Sequence, residues 1–226
     1  AVAAGCTAIS HGSQLTDREF ALMAQKGTYF EPNVGLVSQN YLENRERYIG
    51  TGNFNEEAFK TTEASIPLKL EMFKRALKHR GLKIVTGTDA VAGAHGRNVR
   101  EIIYRVNVGG QPAMDAIIGA TSLNAEALGM ADRVGTVIPG LEADLIAVDG
   151  NPAQDITALE RVILGRESAG PWQQLRLGEM YEEPALRILL VLLFQTADLV
   201  AGGIWHLDAR RSGRRGEGRC TVQSAR

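Results

Sequence analysis

Three times in the first hundred residues a short β-prone run stops abruptly, and a stretch with helical spacing follows it. The runs are "CTAIS", "TYFEPN" and "LKIVTGT"; the helical stretches are "EFALMAQK", "EAFKTTEASIPLKLEMFKRALKHRG" and "NVREIIYRVNVGG". Strand and helix in alternation restrict such a chain to an α/β fold, a parallel sheet flanked by helices. In folds of this kind the chemistry collects on the loops that leave the carboxyl ends of the strands. His11 stands where the first run ends, and Asp89 follows the third at once.

Local signals set the elements more finely. Thr16 and Glu19 have capping-box spacing, which predicts a helix running to Gly27. A proline closes the second strand, and an Asn- and Gly-rich loop is expected from there to about Phe54. Leu70, Phe73 and Leu77 repeat at helical spacing up to Gly81, with Pro67 expected to divide that stretch into two helices. The glycines of "VGTVIPGLEADLIAVDGNP" read as turns between short strands, and the chain has no GxxxxGK[ST], GxSxG or CxxC motif.

Composition narrows the functions. A formal net charge of -1 offers no electrostatic attraction to nucleic acid or an anionic membrane. Cys6 and Cys220 lie near opposite ends with no paired spacing, so no structural disulfide is expected and a reducing, cytoplasmic location is the default. The opening "AVAAGCTAISHG" has no basic leader and is not read as a signal peptide. The long apolar stretch at 184–205 is interrupted by Arg187 and Asp198, leaving 10 uncharged residues between them. A membrane span needs roughly 20, so none is expected. Lysine disappears after about residue 165, where 9 arginines remain, and the segment "ARRSGRRGEGRCTVQSAR" reads as a disordered, solvated tail rather than a nucleic-acid contact.

Individual residues leave alternatives open. His11 is a metal ligand or catalytic base, or a histidine that hydrogen-bonds at a strand end. Asp89 is a metal ligand that takes a proton from water, or the cap of the turn that follows. His95, between glycines in "GAHGRN", is a substrate contact or an exposed loop residue. His79 sits beside Lys78 and Arg80 at a helix end, where a cation suits the helix dipole. His206 carries no assignment.

Taken together, these segments resemble the C-terminal part of the amidohydrolase superfamily, in its imidazolonepropionase-like and Xaa-Pro dipeptidase-like branch. "AGCTAISHGSQLTDREFALMAQKGTYFEPN" looks like the sixth barrel strand, its helix and the seventh strand. "RGLKIVTGTDAVAGAHGRNVREI" looks like the eighth strand and its loop. The ordered string "AT", "NAEALG", "GTVIPGLEADL" resembles the closing helices and the return into a small β-sandwich. The resemblance implies an α/β fold that is the C-terminal part of a (β/α)8 TIM barrel, about three of eight strands, leading into short β-sandwich strands. It implies one or two divalent ions, zinc foremost. His11 is then similar to the sixth-strand ligand, Asp89 to the eighth-strand ligand and catalytic proton acceptor, and His95 to a substrate-side residue at the barrel mouth.

The same family expects HxH on strand one, a lysine or glutamate on strand four and a histidine on strand five, and no segment here matches them. The expectation is an incomplete barrel, a fragment truncated before the sixth strand and altered after about Gly165. Its divisions are 1–130 for the barrel part, 131–165 for the sandwich return and 166–226 for the atypical Arg-rich tail. The implied function is hydrolysis of amide or peptide-like C–N bonds in a small-molecule, dipeptide-like substrate. The alternative is a non-catalytic α/β association module. Expected partners are a homo-oligomer copy or the missing N-terminal half, with no nucleic acid and no membrane.

Overall fold

The computed structural model describes residues 1–142, 144–166 and 221–223. The apolar stretch at 184–205 and most of the Arg-rich tail lie outside them. The first part alternates as expected: β1 (Ala8–Ser10), α1 (Asp17–Lys26), β2 (Tyr29–Glu31), α2 (Leu36–Glu43), α3 (Arg45–Tyr48), α4 (Glu56–Ala76), β3 (Lys83–Ile84) and α5 (Val99–Asn107). There follow α6 (Ala113–Ala120), α7 (Ser122–Leu128), β4 (Leu145–Val148), a 3-10 turn (Ile156–Glu160), β5 (Val162–Arg166) and β6 (Thr221–Gln223). The sheet order is β3-β2-β1-β6, every pairing parallel, while β4 and β5 form a separate antiparallel pair.

Register explains which face does what. Ile9, Phe30 and Ile84 stand in one rank across the three strands and pack against Phe20 and Met23 of α1 and Met72, Phe73 and Ala76 of α4. Side chains alternate faces along a strand, so the next rank, Ser10 opposite Glu31, points the other way. That rank ends the sheet in polar groups. A second core gathers Ile102 of α5, Ala116, Ile117 and Ala120 of α6, and Ile156 and Leu159.

Helix α1 starts where its capping box predicts: the Glu19 carboxylate accepts from the Thr16 backbone N–H at 2.9 Å. Two local expectations fail. Pro67 does not divide its helix; α4 runs unbroken through it. Pro67 lies on the exposed side, where water can serve the carbonyl deprived of a donor, while buried Phe59, Met72, Phe73 and Ala76 hold both halves down. The expected loop up to Phe54 contains α2 and α3. The first backbone N–H groups of α2 are received by Glu101, a residue of α5 some 65 positions later. No local pattern announces that cap.

The disulfide expectation also fails: Cys6 is disulfide-bonded, and Cys220 lies outside the described residues. Distance along the sequence conceals the return of β6, which sets Thr221 beside Ala8. No helix among the described residues is long and apolar enough to cross a membrane.

Candidate functional site at the strand ends

Beyond the polar rank, each of the three strands turns sharply. Among the described residues the non-glycine positions with positive φ are His11 (61°), Asn33 (45°) and Asp89 (49°), which follow the ends of β1, β2 and β3 by one, two and five residues. Left-handed backbone at non-glycine residues costs about 1–3 kcal/mol each and clusters at functional sites. The turns bring His11 and Asp89 together from β1 and β3, across the end of β2. His11 Nε2 lies 3.8 Å from Asp89 Oδ2, the side chains 22% and 28% exposed and so within reach of solvent.

Glu31 stands between them, a residue that sequence reading passed over. Its Oε2 accepts from Ser10 Oγ at 3.2 Å, its Oε1 from Asn33 Nδ2 at 3.1 Å, and its backbone oxygen from the His11 N–H at 2.8 Å. Burial, with a smaller contribution from the Asp89 charge, raises the Glu31 carboxyl above the usual glutamate range, against the pull of Asn33, Ser10 and Arg105. A raised folded pKa means that the folded chain holds this proton more tightly than the unfolded chain. The stability so gained is present in acid and is lost as pH rises through the folded value. Carboxyl carbon NMR is expected to place the Glu31 midpoint above that of an exposed glutamate; an unshifted midpoint would contradict this geometry. The one sequence cue was the alternation itself, which sets Glu31 in register with Ser10 at the end of β2.

Asp89 is placed by what holds β3. Asn124 of α7 embraces Thr86, accepting from its N–H at 3.2 Å and donating to its carbonyl at 2.9 Å. Arg105, fully buried on α5, donates to Val85 O at 2.9 Å, Thr86 Oγ1 at 3.1 Å and Gln111 Oε1 at 2.9 Å. Burial lowers its pKa to about 10, still cationic at neutral pH, with Glu101 and Glu31 opposing the shift. Thr88, beside Asp89, donates to Asn98 Oδ1 at 3.2 Å.

His95 is exposed in the loop between β3 and α5. That loop is fastened to α2 and α3: Asn40 Nδ2 donates to the Ala92 carbonyl at 3.2 Å, Tyr48 donates to the same oxygen, and Arg97 meets Glu43 at 2.8 Å. His79 lies away from the strand ends, 3.2 Å from Asp17 Oδ1 and against the Phe20 ring. His206 is outside the described residues.

The His11–Asp89 separation exceeds a hydrogen bond of up to about 3.2 Å. Two tetrahedral ligands at about 2.1 Å from one zinc ion stand roughly 3.4 Å apart, so the 3.8 Å pair is a few tenths of an ångström wider than that spacing. No group of three or more His, Cys, Asp or Glu able to hold an ion occurs among the described residues. What the described residues bring together is one imidazole and one carboxylate beyond the strand ends, where an α/β protein gathers its working residues.

Comparison with known proteins agrees with that class. The amidohydrolase family model matches residues 1–165, and the chain belongs to this family, whose members generally use divalent metals. An ochratoxinase of Aspergillus niger is 28% identical over 161 residues, 71% of this chain and 32% of its own length. The chain thus spans about a third of the curated relatives it matches. A crystal structure of a Xaa-Pro dipeptidase with methionine bound in the active site is 36% identical and superposes with a TM-score of 0.62, over 74% of this chain and 39% of that one. The crystal structure of the A. niger ochratoxinase is 26% identical, with a TM-score of 0.60, over 74% of this chain and 36% of that one.

Proposed function

We propose that this chain supplies two ligands, His11 and Asp89, to a divalent-metal site that hydrolyses an amide or dipeptide-like C–N bond. In this reading β1, β2 and β3 correspond to the sixth to eighth strands of a (β/α)8 barrel, 131–165 to the sandwich return and 166–226 to an atypical Arg-rich tail, of which Thr221–Gln223 returns to the sheet as β6. The observation that carries it is the 3.8 Å approach of an imidazole and a carboxylate from the ends of two strands in a chain of this family. The Xaa-Pro dipeptidase, 36% identical, supports a substrate of dipeptide size.

A bound divalent ion, zinc foremost, supplies electrophilic assistance at the scissile carbonyl and acidifies water to a pKa of about 7. The protein's own groups do the rest. Asp89 takes a proton from the attacking water as the oxygen bonds to the carbonyl carbon. It returns that proton to the nitrogen as the C–N bond breaks, so that the amine leaves neutral. His11 holds the imidazole face of the site, and His95 meets the substrate from the mouth.

Two ligands bind an ion weakly where structural sites use four and catalytic sites three. Zinc titration of the full chain is expected to show weak, saturable uptake that disappears in the His11→Ala, Asp89→Ala double variant. Uptake that survives the double substitution would overturn the assignment. So would a chain that takes up no zinc and instead forms concentration-dependent oligomers, the behaviour of an association module.

A further inference from the structure

We propose that Glu31 is a positioning residue of this site, holding from the middle strand the two strand ends that carry His11 and Asp89. The sheet order sets β2 between β1 and β3, so a side chain at the end of β2 can touch both neighbours at once. Toward β1, Glu31 is bonded twice: Ser10, immediately before His11, donates to its carboxylate at 3.2 Å, and the His11 N–H donates to its carbonyl at 2.8 Å. Toward β3, its carboxylate rests against bare backbone at Gly87, two residues before Asp89. A Cβ built on Gly87 would lie 2.0 Å from Glu31 Oε1, so the glycine is the opening through which the carboxylate reaches the segment that leads from β3 to Asp89. On its own strand it holds Asn33 at 3.1 Å.

Each of these contacts borders one of the three residues in left-handed backbone. Such strain persists only where the surroundings over-determine it, and Glu31 is the side chain common to all three turns. Stability alone does not account for a carboxylate here. Asp89 opposes its ionisation, and burial opposes it more. Geometry does account for it, because a carboxylate accepts from Ser10 and Asn33 on separate oxygens, whereas a glutamine offers one acceptor.

The proposal takes its functional meaning from the reading of His11 and Asp89 as ligands, but its contacts are tested without metal or turnover. Side-chain nitrogen–proton NMR of the metal-free full chain resolves its 4 histidines. Glu31→Ala is expected to shift the His11 ring signals while those of His79, and the backbone amides around Ile117 in the second core, stay in place. Glu31→Gln, with one acceptor left, is expected to shift them less. Unchanged His11 signals in Glu31→Ala, or equal shifts in both variants, would overturn the proposal. If Glu31→Ala does not fold, Ser10→Ala decides: it removes only the 3.2 Å bond, and a shift of the His11 ring supports the role while its absence rejects it. Zinc uptake is read in a separate titration. A shifted His11 in a chain that binds no zinc retires the metal reading alone, and zinc uptake with an unmoved His11 retires the positioning role alone.

Discussion

Replacing Glu101 with alanine is expected to destabilise the chain by about 4 kcal/mol or more, enough to remove much of a typical domain's 5–15 kcal/mol. Glu101 is fully buried. Its Oε1 accepts from the Val34 N–H at 2.6 Å, and its Oε2 accepts from Gly35 and Leu36, both at 2.8 Å. Gly35 and Leu36 open α2, where the first N–H groups have no partner within the helix, and Val34 leads into it. A carboxylate there also meets the positive end of the helix dipole. Alanine leaves three buried N–H groups unsatisfied, each costing about 1–3 kcal/mol. Glutamine keeps one acceptor and turns an NH2 group toward the remaining donors, so it should fall between. Urea unfolding followed by far-ultraviolet circular dichroism measures both, and a loss below about 1 kcal/mol for the alanine variant would show that α2 does not depend on this cap.

The second large effect is expected at Arg105. Substitution by methionine fills much of its volume but strands the Val85 carbonyl, the Thr86 hydroxyl and the Gln111 amide oxygen that the guanidinium now serves. It also removes the cation lying 5.4 Å from the Phe73 ring centroid. A loss of about 3–5 kcal/mol is expected, the range for breaking a buried charged network by removing one member. Lysine should not restore it, because three acceptors in different directions need the planar fork rather than a single ammonium. The same unfolding assay reads this. Stability unchanged in Arg105→Met would mean that β3 is held in place by Asn124 and the core alone.

These two residues share α5 and serve the site from below. Glu101 fastens α2, whose Asn40 in turn holds the Ala92 carbonyl of the loop that carries His95. Arg105 fastens Val85, just past β3, from which the chain reaches Asp89 in four residues. Because Glu101 offsets the cost of burying Arg105, the two substitutions should not add independently, and a double-variant cycle would measure the coupling.

The two residues that the candidate site brings together, His11 and Asp89, were legible in the sequence for a physical reason. In an α/β chain a buried strand announces itself by β-branched and aromatic residues, and the residue that ends it can be read directly. That is how His11 and Asp89 come forward from "AISHG" and "TGTDA". The capping box of α1 was equally local. Glu31 was not visible as a site residue because its meaning depends on Ser10, 21 positions earlier, and on the missing side chain at Gly87, 56 positions later. Helix α2 was missed because its cap comes from another helix. The Cys6 disulfide was missed because β6 returns beside β1.

The sequence alone determined the alternation of β1, β2 and β3 with α1, α4 and α5, the polar residues after the strands and the family, since each rests on propensity, periodicity or an ordered string within a few dozen residues. Only the tertiary structure decided that an imidazole and a carboxylate 78 positions apart lie 3.8 Å from one another, with Glu31 between their strands. Parallel strands meet through crossovers whose packing no local pattern encodes. The distance between their ends, and therefore the chemistry there, is settled by the helices that press the sheet into register.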